Sequence, residues 1–309
     1  MEKYFKLVCL FSCFLVLFGA CKPIPSVPTA TITADVSNNV VTFKLATTNS
    51  TAYKWRFGDG DSVIVYTSTP VIHTYPKDGT TYSVTLFILG PGGSATATTT
   101  VNIPVMTPMD LLTGGSAFPK GKAWIISSSA GIYRANPDSS LMIERSYPAA
   151  LLTTIDLGEA YTDKFIFFSN GNYVISPQGG GALAGLSYCS VNNIVNVQPQ
   201  GADSLGLTYI TPYKPTAALT FAFNPGKTLT IATTADGVSS TNESFSNVNT
   251  LSFSPDGFLG IRDFMSECIV QELTPSHLTV ALFLSNVAPQ APLVGQITKV
   301  LILSFKVAP

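Results

Sequence analysis

Glu267 and Glu272 raise the question of hydrolysis, because cleaving a glycosidic bond takes two carboxylates facing each other across it. They lie five residues apart, and on a strand an odd spacing turns two side chains to opposite faces. Glu144, Glu159 and Glu243 sit in turn-like stretches with no carboxylate neighbour at strand spacing. Nucleophilic catalysis has as little to work with. The chain has two histidines, His73 and His277, and no G-x-S-x-G elbow. Gly90-Pro91-Gly92-Gly93 and Gly179-Gly180-Gly181 do not precede a helix carrying Lys and Ser or Thr, so they read as loops and not as phosphate cradles. Asp59 and Asp61 are too few for the ~6–8 oxygens of a calcium site. The expectation is a protein without catalytic residues, metal or cofactor.

Binding chemistry is better represented. A sugar offers apolar ring faces edged with hydroxyls, so a site for it pairs aromatic side chains with Asn, Gln, Asp or Arg. Tyr133 with Arg134 and Asn136, in the run Gly131–Asp138, forms the first candidate. Tyr147, Tyr161 and Tyr188 follow it, and for each the alternative is an ordinary core aromatic. Trp124, between Ala123 and Ile125, reads as core.

Composition narrows the partner. Hydrophobic residues make up 46% of the chain and charged residues 11%, with a formal net charge of −1. Disorder needs low hydrophobicity and high net charge. Nucleic-acid binding needs a basic stripe, so neither applies. The low charge favours neutral ligands over acidic polysaccharides. Beyond the N-terminus no apolar run approaches the ~20 residues of a membrane-spanning helix.

The first residues read as an address. Lys3 and Lys6 precede the apolar stretch Leu7–Leu17 and the small-residue exit Gly19-Ala20, which marks residues 1–20 as a secretory signal peptide. Gly19-Ala20-Cys21 resembles the lipobox of bacterial lipoproteins. That resemblance implies acylation of Cys21 and anchoring in outer-membrane lipid, with residues 21–28 as a proline-stiffened tether. Lys22 replaces the aspartate associated with inner-membrane retention. Of the five cysteines only Cys189 and Cys268 then remain for the folded chain. An oxidising compartment favours a disulfide between them, and the alternative is two buried thiols.

The elements that would position these residues are strands. From Thr29 to about Val105, alternating segments such as Val40–Leu45, Tyr82–Phe87 and Ala95–Val101 recur between turn residues, the signature of a β-sandwich. Trp55-Arg56-Phe57-Gly58-Asp59-Gly60 followed by His73-Thr74-Tyr75 and Tyr82-Ser83-Val84 resembles the paired signatures of PKD domains. The resemblance implies a seven-stranded immunoglobulin-like sandwich over 29–105, a buried Trp55, a structural His73, and a spacer role.

Residues 106–309 also read as all-β, either a two-sheet jelly roll or an up-and-down barrel. Asp110-Leu111-Leu112 opens a short helical turn. Asn170-Gly171 and Pro255-Asp256-Gly257 each mark a hairpin, the second leading into a strand Phe258–Ile261. A lipobox, a PKD domain and a β domain containing Gly121-Lys122-Ala123-Trp124, Asp163–Phe167 with Asn170–Tyr173, and Ile269–Val280 is similar to the glycan-binding surface lipoproteins of Bacteroidetes polysaccharide-utilisation systems. That similarity implies a jelly-roll or lipocalin-like second domain. It also implies a polysaccharide or oligosaccharide ligand, captured at the cell surface for an outer-membrane transporter complex. The E-x-D-x-x-E strand of the family-16 hydrolases, which share the candidate jelly roll, does not occur here. A lipocalin-like carrier of a small apolar ligand, or a structural adhesion protein, is the alternative.

Overall fold

The computed structural model describes residues 24–194, 198–199, 205, 207–234, 238–285 and 293–309. Cys21 and residues 1–20, on which the signal-peptide and lipidation readings rest, lie outside the described residues. The chain forms two compact units, one built chiefly on residues 29–102 and one on 103–309, and both are β.

The first unit has seven strands: β1 Thr29–Ser37, β2 Val40–Thr48, β3 Ala52–Arg56, β4 Ser62–Val65, β5 Val71–Thr74, β6 Thr81–Gly90 and β7 Gly93–Asn102. They make a sheet β1-β2-β5 and a sheet β4-β3-β6-β7. Alternation puts Val84, Leu86 and Ile88 of β6 in the core and their neighbours outside. Trp55 is 1% exposed, its ring 5.3 Å from that of Phe43.

The second unit contains β8 Lys122–Ile126, β9 Ile132–Ala135, β10 Ile143–Tyr147, β11 Lys164–Phe167, β12 Asn172–Ser176, β13 Gly181–Gly185, β14 Gln198–Pro199, β15 Leu207–Pro212, β16 Leu219–Thr233, β17 Thr241–Phe253, β18 Glu267–Leu273, β19 His277–Leu284 and β20 Lys299–Val307. Its helices are short: α1 Pro108–Thr113, α2 Leu151–Thr154 and α3 Leu186–Val191. Neighbouring strands run in the order β8-β11-β12-β16-β17-β18-β19-β20, and β20 pairs back onto β8. The sheet is therefore a closed antiparallel barrel of eight strands, and the jelly-roll alternative does not hold. Closure leaves the eight barrel strands without a free edge, while β9 and β10 branch from β20 and leave β10 as the edge of the sheet.

An eight-stranded barrel is just wide enough for its own side chains to fill. Here aromatic rings fill it. Phe167 lies 4.7 Å from Tyr173 and 4.9 Å from Phe221, and Phe165 meets Phe305 edge-on at 5.9 Å. A void beside Phe253, Phe258 and Leu282 measures about 10 Å³, room for one water. Trp124 is fully buried and donates its indole N–H to Leu112 O at 2.8 Å. Thr107 and Asp110 close a capping box that starts α1, so the short helix expected at Asp110–Leu112 forms and lends its carbonyls to this contact.

The barrel has a second apolar layer on its outside. Ile269, Ala281, Phe283, Val300 and Ile302 point outward from β18, β19 and β20, yet all are buried. The distal half of the β16–β17 hairpin covers them with Leu229, Ile231 and Phe245. Register shifts between Asn224 and Leu229, with Asn247 in the left-handed region (φ 56°), bend the hairpin over. Glu267 secures the bend by accepting from Lys227 Nζ at 2.7 and 2.9 Å and from Thr250 Oγ1 at 2.6 Å. Its carboxylate is thus occupied in holding the hairpin.

Candidate functional site

The turn Pro255-Asp256-Gly257 does not lead into a strand. Asp256 takes a left-handed backbone (φ 67°), and the chain drives Phe258, Leu259 and Ile261 inward, where all three are buried. Tyr173 donates to Phe258 O at 2.7 Å and fixes this plug. The apolar run Phe258–Ile261 reads as a strand from its composition, but it is consumed in stoppering the barrel. Arg262 then emerges and docks on β13. Its N–H donates to Leu183 O at 2.8 Å, and its carbonyl accepts from Gly185 N at 2.9 Å.

So anchored, the Arg262 guanidinium lies over two tyrosine rings, 5.2 Å from the ring centre of Tyr188 on α3 and 5.6 Å from that of Tyr213. Phe264 meets Tyr188 edge-on at 5.3 Å, and Phe258 meets Tyr213 edge-on at 5.2 Å. Arg262 Nη2 pairs with Asp256 Oδ1 at 3.3 Å, and Asp256 Oδ2 accepts from Thr216 Oγ1 at 2.7 Å and Thr216 N at 3.1 Å. Those Thr216 bonds, with the nearby guanidinium, hold the Asp256 carboxyl below its usual range. Burial pushes both phenols up, Tyr213 to about 12, so both are neutral at ordinary pH. The Tyr213 hydroxyl donates to Asp256 O at 3.0 Å. The result is a half-buried patch with two aromatic rings, one cation and one anion that balance, and guanidinium N–H groups beyond the one used by Asp256.

Behind the patch lies Asp263, 8% exposed. Its Oδ1 accepts from Phe264 N at 2.8 Å and Ser285 N at 3.2 Å, while Oδ2 has no hydrogen-bond partner among the described residues. Oδ2 presses on Gly185, where an added Cβ would lie 2.1 Å away, so only glycine fits. Burial raises the Asp263 carboxyl from 3.8 to about 7. The folded state therefore holds this proton more tightly than the unfolded chain does. Its contribution to stability is greatest below about pH 4 and is lost as pH rises to about 7. Asp163, raised by burial to about 6, acts in the same direction. Asp263→Asn keeps an acceptor for both N–H groups and removes the titration. Denaturant unfolding at pH 4.5 and pH 7.5 is expected to show a smaller pH difference for the variant than for the parent, and an equal difference would refute the assignment.

Of the residues picked out in the sequence, Tyr188 alone lies in this patch. Tyr133 is half-buried against the outer apolar layer, Arg134 Nε pairs with Glu144 at 3.0 Å, and the Asn136 N–H donates to Met142 O at 3.0 Å, all within the β9–β10 hairpin. Tyr147 and Tyr161 are not available as platforms. They are 9% and 8% exposed and belong to the barrel's apolar core, where the Tyr161 hydroxyl accepts from Leu152 N at 3.2 Å. Cys189 and Cys268 are buried thiols and do not form a disulfide. Cys268 faces the barrel interior from β18, paired with Leu251 and Leu282, and Cys189 lies on α3. Burial raises the Cys268 thiol to about 12. Tyr213 and Arg262 carry no motif in the sequence, where Asp256 reads only as a turn residue. The available signal was an arginine six residues after the aspartate of a Pro-Asp-Gly turn, in a stretch that also holds Asp263 and Glu267.

In the first unit His73 Nε2 and Asp59 Oδ2 are 2.6 Å apart, with the imidazole stacked on Phe57 at 3.9 Å. Asp59, Asp61 and His73 bring three ligand atoms within 4.8 Å of one another, short of the ~6–8 oxygens calcium takes.

Comparison with known proteins bears on this unit. The family model for the PKD domain matches residues 29–103. Solved structures similar to part of the chain include the PKD1 domain of Vibrio anguillarum Epp, at 21% identity over 26% of this chain and 99% of that one, TM-score 0.24. The PKD1 domain of the Vibrio cholerae metalloprotease PrtV is 26% identical over 26% of this chain and 100% of that one, TM-score 0.24. The PKD domain of the human VPS10 domain-containing receptor SorCS2 is 19% identical over 28% and 80%, TM-score 0.24. None of the curated proteins matches the chain. Residues 29–103 are a PKD domain, carried on a chain whose larger part is the eight-stranded barrel.

Proposed function

We propose that the protein is a non-catalytic, lipid-anchored surface module that binds a neutral glycan through the Tyr188–Arg262–Tyr213 patch of the barrel. In this reading Cys21 carries the lipid and the PKD domain is a spacer. The captured polysaccharide is delivered to an outer-membrane uptake complex. The observation that carries the reading is the patch itself: two half-buried tyrosine rings that share one guanidinium, which Asp256 neutralises. Ring faces and edges take the C–H face of a sugar, and the guanidinium donates to its hydroxyls. Charge balance within the patch favours an uncharged ligand. The barrel interior is occupied by its own aromatic side chains, so a ligand site belongs on the outside.

A glycan array probed with the full chain tests this. Binding to neutral glycans is expected, weakened about tenfold by Tyr213→Ala, since stacking on one aromatic contributes roughly 1–1.5 kcal/mol. An array with signals on anionic glycans only, or signals indifferent to Tyr213→Ala, would contradict it.

A further inference from the structure

Pro25 and Ser26, which lead into β1, lie across one end of the PKD domain, on its β2–β3 and β6–β7 turns. The Asn49 side-chain N–H donates to Ser26 Oγ at 2.7 Å, and Gly92 sits so close to Ser26 O that a Cβ would not fit there. The place where the tether leaves the domain is thereby fixed. From Ser26 back to Cys21 is five residues, a reach of about 18 Å at most. The segments meeting at this end are uncharged, since residues 24–34, 45–53 and 88–101 contain no Asp, Glu, Lys or Arg.

The sheet β4-β3-β6-β7 carries charge of one sign. Lys54 and Arg56 are the only charged residues in its four strands, and alternation with buried Tyr53 and Trp55 turns both outward. The register sets Ile64 and Phe87 on either side of Lys54, and Leu89 beside Ala52 nearer the tether. Ile64, Phe87 and Leu89 are all exposed, and the Arg56 guanidinium lies 5.1 Å from the Phe87 ring centre. Asp35 belongs to the other sheet, and Asp59 and Asp61 to the turn beyond the far end of β3.

From these features we infer that the outer face of this sheet is a lipid-docking surface, on which the PKD domain lies against an anionic bilayer. The inference rests on the lipid-anchor reading of Cys21. A tether this short holds the face within reach of the headgroups of the membrane that carries the anchor. The high effective concentration that results makes a weak surface sufficient. Exposed apolar side chains beside cations suit the boundary between headgroups and acyl chains, where Ile64, Phe87 and Leu89 enter and Lys54 and Arg56 meet phosphate. No carboxylate in the four strands opposes that approach.

The test places the native, membrane-extracted protein in vesicles of phosphatidylethanolamine and phosphatidylglycerol that contain a headgroup spin-labelled lipid. A dye is attached through Ser94→Cys, opposite Leu89 on the proposed face, or through Lys44→Cys, exposed on the other sheet. Strong quenching at position 94 and weak quenching at 44 is the expected result. Omitting phosphatidylglycerol should lower the ratio of docked to undocked domain about 30-fold, since each cation near an anionic surface contributes a factor of about five. That arm needs no change in the docking residues, and Lys54→Glu with Leu89→Asp should abolish the difference between the two dyes. Equal or weak quenching at both positions, in protein that floats with the vesicles, would overturn the docking surface and leave the anchor standing. A face kept for a protein partner would give that result. Protein that fails to float with vesicles would overturn the anchor and the docking surface together.

Discussion

Arg262→Ala is expected to lower affinity for neutral polysaccharide about 100-fold, the largest effect of any single change in the patch. The guanidinium does two things at once. It lies over the rings of both Tyr188 and Tyr213, and in the proposed reading it carries the charged donors offered to the ligand. A hydrogen bond to a charged group contributes roughly 1.5–3 kcal/mol, which corresponds to about 10- to 150-fold in affinity. The cost to folding is smaller. Asp256 keeps both bonds from Thr216, and the Arg262 backbone keeps its pairing with β13. With the ion pair part-exposed, about 1 kcal/mol of stability is at stake. Arg262→Lys restores the charge without the planar contact to either ring, so it should recover only part of the binding. Affinity electrophoresis in polysaccharide gels reads the effect directly, and an Arg262→Ala protein that migrates like the parent would remove the patch from the account.

Lys122→Ala is expected to destabilise the barrel by about 4 kcal/mol at pH 10, and by much less at pH 7. Lys122 is 2% exposed. Its ammonium lies 4.4 Å from the Trp124 ring centre and donates to Leu111 O at 2.6 Å and Pro275 O at 2.8 Å, tying α1 and the β18–β19 turn to β8. Truncation strands two carbonyls and removes the packed stem. Burial lowers this amine from 10.5 to about 7. Between those values the unfolded chain holds a proton that the folded chain has released, so stability climbs with pH from about 7 to about 10.5. Below about 7 the folded protein bears the full cost of a buried charge, and that cost offsets the contacts. The alanine variant should lose the climb. Denaturant unfolding of both proteins at pH 7 and pH 10 checks this, and a difference independent of pH would show that Lys122 stays charged throughout.

Short-range residue patterns were enough for the PKD domain. Its turn glycines, Trp55 and Phe57 are contiguous, and β6 alternates cleanly between core and solvent. The all-β class of the second unit was equally visible, as was the Asn170-Gly171 hairpin joining β11 to β12. Closure of the barrel was not, because it depends on β20 finding β8 across nearly the whole unit, a pairing no local period encodes. The outer apolar layer hid for a related reason. Strands β19 and β20 are buried on both faces, and such strands read as continuous apolar runs without a preferred side. At the site, Tyr188 could be named from its type, but its partners could not. Phe258–Ile261 has strand composition and is a plug, and the docking of Arg262 on β13 that follows it has no local sequence mark. Tyr147 and Tyr161 failed as candidates because an isolated tyrosine carries no local mark of burial.

In the proposed reading the barrel holds a neutral polysaccharide without transforming it. That reading is tested most directly by incubating the full chain with a panel of neutral polysaccharides, following retardation in native gels and the appearance of new reducing ends in the same samples. Retardation by at least one polysaccharide with no new reducing ends is the predicted result. Release of reducing ends, or free migration through every gel, would contradict it.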